Sequence, residues 1–228
     1  EMETSIFDEL LLLPFFQGMS KEQLLSVAES FRLDFRTLNS KTPIVRQDEL
    51  CQSLVFIIKG EVKIERHSDD HTYRLCEWDA RPDVVQPSFL FGLSTHYSHS
   101  YTASDCVHLL EIKKDDIRTI LSIYPTFRQN FLNFVSWKNQ QADRALWKPM
   151  PTDLHERFVK FVQQRCLRPA GRKDLYIKMT QLGKELGTTR LNTSRMLHDW
   201  AERQCLSFER GHIIIPAFEQ LIAAPWEP

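Results

Sequence analysis

The sequence lacks the common motifs that build cofactor, metal and catalytic sites. Its five cysteines are scattered without a Cys-x-x-Cys pair, and an odd number does not favour a disulfide framework. We expect them to be small apolar fillers in a reducing cytoplasm. Glycine occurs only seven times, and no P-loop, Gly-rich dinucleotide turn, nucleophile elbow or His-Glu-x-x-His motif is present. These absences predict a protein that is not an enzyme and has no metal and no cofactor.

Long apolar runs are also missing, so we expect no bilayer-spanning segment and no membrane partner. The N-terminal stretch is acidic, with Glu1, Glu3, Asp8 and Glu9, and it lacks the basic start of a signal peptide. Cytoplasmic localisation is the expectation.

A net charge of −1 conceals an uneven distribution. Residues 1–110 carry 10 basic and 17 acidic side chains, residues 111–150 carry 7 and 4, and residues 151–228 carry 12 and 9. The first part would repel DNA and the last would weakly attract it, in a salt-dependent way.

The segment Lys178–Trp200 is patterned as a helix-turn-helix. Gly183 is small where two helices approach each other, and Gly187 permits a tight turn. A second helix is predicted from Thr188 or Thr189, both good N-cap residues. A polar, arginine-bearing helix after such a turn fits the major groove of DNA. An ordinary helical hairpin with a solvated face is the alternative.

Two strand-like runs follow, Leu206–Glu209 and His212–Ile215, on either side of Arg210-Gly211. They predict a wing whose tip lies near the phosphate backbone, so Arg210 is a candidate phosphate contact. A plain surface hairpin remains the other interpretation.

The N-terminal half alternates between apolar and polar residues and has frequent turns. Ser20 with Gln23 predicts a capping box, and Leu54–Ile58 reads as a buried strand before a turn at Lys59-Gly60. Further strands are predicted at Thr72–Trp78, Phe89–Leu93, Ser100–Ala103 and Val107–Ile112. The pattern favours an antiparallel barrel or roll.

A long helix is predicted after Pro125, ending before the proline-rich hinge Lys148–Pro151. One stripe along it has heptad-like spacing, and its members are Phe127, Phe131, Phe134, Lys138, Gln141 and Ala145. This stripe packs either on its own roll or in a dimer seam, and we favour the dimer because paired motifs read two half-sites. The predicted domains are a sensor roll over 1–124, a dimerisation helix over 125–148 and a winged helix-turn-helix over 149–228, an α+β architecture.

This order of elements resembles the CRP/FNR family of bacterial transcription regulators over nearly the whole chain. The stretch GTTRLNTSR, running from Gly187 to Arg195, matches the family pattern around its DNA-reading helix. VFIIKGEVKI, with Phe56, Gly60 and Val62, is similar to the strand-Gly-strand hairpin of the family roll. The resemblance implies a homodimer on an inverted-repeat operator in double-stranded DNA, with RNA polymerase as a partner if the protein is an activator.

By this resemblance, Arg190, Leu191 and Arg195 are the base-reading candidates. Backbone contacts are expected from a second set, which consists of Thr188, Thr189, Ser194 and Arg210. Relatives often have Glu where Leu191 stands, accepting from a cytosine amino group. Leucine offers only apolar contact, for example with a thymine methyl, so the operator is expected to keep guanine and lose the cytosine preference.

The cyclic-nucleotide pocket of the family is degenerate in this sequence. Leu93, after Gly92, stands where the ribose-binding Glu would be, and Tyr97-Ser98 aligns with the Arg-Ser pair that binds the cyclic phosphate. Without those partners the polar atoms of the ligand stay unpaired, at a cost of about several kcal/mol. We expect no tight binding of cyclic AMP or cyclic GMP, and an unknown small-molecule effector.

Two alternatives stay open at this level. His96, His99 and His108 allow a haem- or other ligand-sensing regulator, without any metal-binding spacing to support it. A winged fold can also serve as a protein-interaction module that binds no DNA.

Overall fold

The computed structural model describes residues 6–224 and has the predicted α+β class. The helices are α1 (Ile6–Leu12), α2 (Lys21–Ser30), α3 (Lys114–Ile123), α4 (Pro125–Trp147), α5 (Leu154–Arg165), α6 (Met179–Glu185), α7 (Arg190–Glu202) and α8 (Phe218–Ala223). The strands are β1 (Asp34–Leu38), β2 (Pro43–Val45), β3 (Ser53–Lys59), β4 (Val62–His67), β5 (Tyr73–Asp79), β6 (Asp83–Val84), β7 (Ser100–Ala103), β8 (Val107–Lys113), β9 (Lys173–Ile177), β10 (Ser207–Glu209) and β11 (His212–Ile215).

The chain divides into two compact units that do not follow sequence order. The first unit contains the residues up to Val62 together with 80–146, and the second contains 63–79 together with 147–228. The hairpin of β4 and β5 thus belongs almost wholly to the second unit. The boundaries predicted near 124 and 148 stay predictions.

The first unit is built on antiparallel strand pairs. One sheet has the order β1-β8-β3-β6, and β2 pairs with β7. Apolar side chains of β3 and β8, such as Phe56 and Leu110, are completely buried between neighbours. Gly60 has φ of +101°, and a Cβ there would lie 2.4 Å from the Cys106 carbonyl oxygen, which explains the glycine at this turn.

The long helix α4 packs on the first unit through its aromatic residues. The ring of Phe15 lies 5.7 Å from that of Phe127, 5.3 Å from that of Phe131 and 5.6 Å from that of Phe134. Asn130 adds hydrogen bonds to the carbonyl oxygens of residues 15 and 17. Phe127 and Phe131 are buried within the single chain, as in the alternative of packing on the roll, while any role of the stripe in an assembly stays a prediction.

Local capping signals determine where two helices begin. Ser20 and Gln23 form the predicted capping box, with each side chain accepting from the backbone N–H of the other residue. Asp153 caps α5 by accepting from the N–H groups of His155 and Glu156.

The strand predicted over Phe89–Leu93 is wrong. A short 3-10 helix occupies Pro87–Phe89, and bends follow it. Gln86 has φ of +44° and Gly92 has φ of +99°, so the backbone turns on both sides of the apolar run. The prediction rested on the apolar run alone, whereas Pro87 starts a turn just before that run.

The second unit contains five strands side by side in the order β10-β11-β9-β5-β4. Leu75, Leu175 and Ile213 lie opposite one another on β5, β9 and β11 and face one apolar core with α5, α6 and α7. Strand β9 was not predicted from the sequence.

A buried ion pair joins β9 to the hairpin. The Lys173 ammonium donates to Glu77 Oε1 at 2.7 Å and to the Ala170 carbonyl at 2.8 Å. The other Glu77 oxygen accepts from the N–H of Leu167 at 2.8 Å, just after α5. The side chains of Lys173 and Glu77 are 1% and 5% exposed. Removal of either one would therefore leave the other as a buried charge without a counter-charge.

All five cysteines are free. Cys51 and Cys76 are buried, Cys106 is exposed, and Cys166 and Cys205 are half-buried. Burial raises the pKa of the Cys76 and Cys166 thiols to about 12, so both remain protonated at neutral pH.

Candidate nucleic-acid interface and effector pocket

The turn from α6 to α7 requires two glycines, one within α6 and one just after it. A Cβ on Gly183 would lie 3.0 Å from the Thr188 carbonyl oxygen and 3.1 Å from Thr193 Oγ1. Gly187 has φ of +63°, the left-handed conformation that ends α6. The N–H of Thr188 then donates to the Gly183 carbonyl at 2.8 Å, which closes the turn.

Helix α7 is fixed in the second unit by one buried face. Thr189 is its N-cap and accepts from the N–H of Asn192 at 3.2 Å. The buried side chains recur at helical spacing, and they are Thr193, Met196, Leu197 and Trp200. The hydroxyl of Thr193 also donates to the Thr189 carbonyl, so the first turn is held rigidly.

The opposite face of α7 presents the predicted base-reading residues. Arg190 and Arg195 are exposed, and Leu191 is 60% exposed. Leu191 and Arg195 lie one turn apart on the same face. Across residues 6–224, neither arginine has an ion-pair or hydrogen-bond partner, so both guanidinium groups are available to a ligand.

The predicted phosphate-contact residues lie at the start of α7, on α7 itself and at the tip of the wing. Thr189 is exposed, while Thr188 and Ser194 are half-buried. Strands β10 and β11 form the predicted hairpin, and its tip holds exposed Arg210 beside Gly211, whose φ is +78°. The wing and helix are linked by the His198 ring, which packs edge-on against Phe208 at 5.1 Å.

Two supporting residues were missed by sequence reasoning. Arg157 on α5 donates to the carbonyl oxygen of Leu186 at 2.8 Å and so supports the turn before α7. His155 Nε2 lies 3.0 Å from the carboxylate of Asp199 on α7. These partners are 29 and 44 residues apart, and no local pattern in the sequence indicates either pair.

The four predicted effector-pocket residues divide into two groups. Gly92 and Leu93 are exposed, and Leu93 is fully solvated. Ser98 donates its N–H and hydroxyl to Gln86 Oε1 at 2.8 and 2.9 Å, and Tyr97 is buried against the Ser53 carbonyl. Burial and the Cys51 thiol raise the pKa of Tyr97, so this side chain stays a neutral phenol.

A groove of about 490 Å³ lies elsewhere in the first unit. Its lining is polar and comprises Leu50, Cys51, Gln52, Ser53, Thr95, Glu111, Lys113, Lys114, Asp115 and Arg118. Glu111 already accepts hydrogen bonds from Ser53 and Arg36, and Asp115 pairs with Arg118. None of the four predicted pocket residues lines this groove.

The three histidines near the expected pocket are not gathered at one point. His99 is buried with Nδ1 at 2.7 Å from the Ser98 hydroxyl, while His96 and His108 are exposed. Within the part of the chain that the structure describes, no cluster of three or more His, Cys, Asp or Glu side chains could hold a metal ion. Over the same residues, no helix is both long and apolar enough to cross a membrane.

The second unit therefore has the structure of a winged helix-turn-helix, the class of module that presents one helix to a groove of DNA. A comparison with protein families matches residues 156–224 to the Crp-like helix-turn-helix domain and residues 35–124 to the cyclic nucleotide-binding domain. With both domains in this order, the chain belongs to the CRP/FNR family of transcription regulators.

Solved structures share the fold at low sequence identity. The catabolite activator protein of Thermus thermophilus is 20% identical with a TM-score of 0.52, and the match covers 92% of this chain and 96% of that one. The sensor domain of the regulator DNR from Pseudomonas aeruginosa is 16% identical with a TM-score of 0.50, covering 64% and 93%. A comparison with curated proteins finds no significant match.

Proposed function

We propose that the protein is a sequence-specific, homodimeric DNA-binding regulator that reads an inverted repeat in the cytoplasm. Arg190 and Arg195 pair with guanines, and Leu191 contacts a thymine methyl. Thr188, Thr189, Ser194 and Arg210 contact phosphates. The observation that carries this proposal is the exposed arginine-bearing face of a helix whose other face is fixed in the core.

Selection of DNA sites by the purified protein tests this function. We expect two inverted half-sites about one helical turn apart, with guanine retained and cytosine not preferred opposite Leu191. Leu191→Glu should restore a cytosine preference at that position, because a carboxylate accepts from the cytosine amino group. Each correct base is worth about 1–3 kcal/mol of discrimination, which is visible in enriched sequences.

Asn192→Glu is the matched control, since it adds the same charge one residue away. It should not create the same cytosine preference. Enrichment of the cytosine-containing half-site by the parent protein would contradict the role of Leu191. Failure to enrich any site would favour a module for protein interactions.

For the dimer, the exposed surface of α4 supports a seam offset by one residue from the stripe predicted above. Its members have 3-4-3-4 spacing, and they are Leu132, Val135, Asn139, Ala142 and Leu146. Leu132 is 51% and Leu146 is 83% exposed, so apolar surface is available for a second copy. Asn139 lies at the middle of the stripe, where one polar residue fixes the register of a coiled coil.

Leu132→Asp and Leu146→Asp, each made alone, should weaken the dimer at least about 100-fold. An unpaired carboxylate in an apolar seam costs about 3 kcal/mol or more. Sedimentation equilibrium measures the dissociation constant. Gln140→Asp introduces the same charge on an exposed position away from the stripe and should leave the dimer intact. A dimer that tolerates both leucine changes would exclude this seam.

For the effector, we infer that the roll does not bind cyclic AMP or cyclic GMP tightly. A neutral Tyr97 cannot balance a phosphate, and Leu93 cannot accept from a ribose hydroxyl. Isothermal titration calorimetry should give no saturable binding at micromolar nucleotide. A clear micromolar isotherm for either nucleotide would contradict this proposal.

A ligand of another kind would act on the spacing of the two reading helices, with Lys148–Pro151 as the hinge. Lys160 on α5 donates to the carbonyl oxygens of Lys148 and Pro149 at 3.1 and 2.8 Å, so the hinge has a defined attachment. Contact with RNA polymerase belongs to this proposal if the protein activates transcription.

A further inference from the structure

The turn of the β4–β5 hairpin and the tip of the wing lie at the same end of their sheet. On β9, Ile177 lies opposite Tyr73 of the hairpin, while its neighbour Tyr176 lies opposite His212 of the wing. The N–H of Ile177 also donates to the Gly211 carbonyl at 3.0 Å. The hairpin turn, residues 68–72, and the wing tip are therefore two loops at one end of the sheet.

That end of the sheet is also where the helix-turn-helix begins. Strand β9 ends at Ile177, and Lys178 is the N-cap of α6. Strands β11 and β5, which lead into the two loops, are separated by β9 alone, so these two strands are about 10 Å apart, or two interstrand spacings. The wing and the β4–β5 hairpin therefore flank β9, and their loops project from the same end of the sheet.

The turn has a defined conformation and an unpaired negative charge. Asp70 accepts from the hydroxyls of Ser68 and Thr72 at 2.8 and 2.7 Å, and these bonds hold its pKa below the ordinary range. Asp69 is exposed and, over residues 6–224, has no hydrogen-bond or ion-pair partner. Its carboxylate is exposed to solvent at the same end of the sheet as Arg210 and Lys178.

We propose that the turn 68–72 is a second DNA-facing loop, adjacent to the phosphate backbone of the bound duplex, where Asp69 lowers affinity. The inference rests on the proposed DNA-binding function. It assigns to the hairpin a direct electrostatic part in DNA binding, in addition to its packing within the second unit.

The test compares Asp69→Asn and Asp69→Lys with the parent protein on the selected operator. Removing the charge should tighten binding about two- to threefold at 0.1 M salt. The lysine should tighten it about tenfold and steepen the salt dependence by about 1.8, the value of one added phosphate contact in each of the two protomers. Because the Asp69 side chain is exposed and makes no hydrogen bond or ion pair with the residues that the structure describes, neither change should alter the melting temperature.

Glu219→Gln is the control, because it removes one charge in the same unit near Gly171, at the opposite end of β9. It should change affinity less than Asp69→Asn does. Equal effects of these two changes, with no change in salt slope for Asp69→Lys, would overturn the inference. Absence of any specific DNA binding by the parent protein would overturn the proposed function and this inference with it.

Discussion

Replacing both Arg190 and Arg195 with alanine should abolish sequence-specific DNA binding. Each guanidinium is exposed on the free face of α7 and makes no hydrogen bond or ion pair with residues 6–224. A bidentate arginine-guanine pair is worth about 1–3 kcal/mol, so loss of two per protomer weakens a dimeric complex by about 4 kcal/mol or more. That is at least about a thousandfold in the dissociation constant, measured by fluorescence anisotropy on the selected operator.

Lysine provides the matched comparison at both positions. Arg190→Lys with Arg195→Lys retains the charge but lacks the planar fork that recognises guanine. The lysine variant should keep nonspecific, salt-sensitive binding and lose most discrimination between sites. If the double-alanine variant still binds the operator with parental affinity, α7 is not the reading helix.

Glu77→Leu should destabilise the second unit by about 3–5 kcal/mol. Lys173 is 1% exposed and its ammonium lies 2.7 Å from Glu77, so the leucine leaves a buried cation without its counter-charge. Two backbone N–H groups after α5, those of Leu167 and Arg168, lose their acceptor as well. Hydrogen exchange of the β9 amides measures the change within this unit alone.

Two controls separate the charge effect from a general loss of packing. Combining Glu77→Leu with Lys173→Met should recover much of the loss, because an apolar pair replaces the ion pair. Arg36→Ala breaks an ion pair of 2.9 Å with Glu111, but those side chains are 45% and 28% exposed, so the cost should be under about 1 kcal/mol. Unchanged β9 exchange in Glu77→Leu would show that Lys173 is neutralised in another way.

Sequence reasoning succeeded where local patterns determine structure. The capping box at Ser20 and Gln23 and the two wing strands have short-range signals, and each was predicted. Helix α7 was also predicted, because Gly187 and Thr189 mark its start within a few residues.

It failed where distant residues determine structure. Strand β9 begins with Lys173 and Asp174, two charged residues that give no local strand signal although both are buried. Lys173 is paired with Glu77, and Asp174 is paired with Arg172 and His212. Of these three partners only Arg172 is close in sequence. The aromatics of α4 fit a dimer seam equally well by spacing, and the position of Phe15 against them could not be foreseen.

The discontinuous second unit has a consequence for the order of folding during synthesis. Glu77 leaves the ribosome long before Lys173, since 96 residues separate them. Until β9 emerges, the outer edge of β5 has no partner from the C-terminal segment, and closing so long a loop slows its capture. The first helices and strands of the roll can form early, whereas a complete wing sheet can form only when nearly the whole chain is available. A truncation that removes β9 should therefore leave the edge of β5 exposed, and an exposed strand edge promotes aggregation.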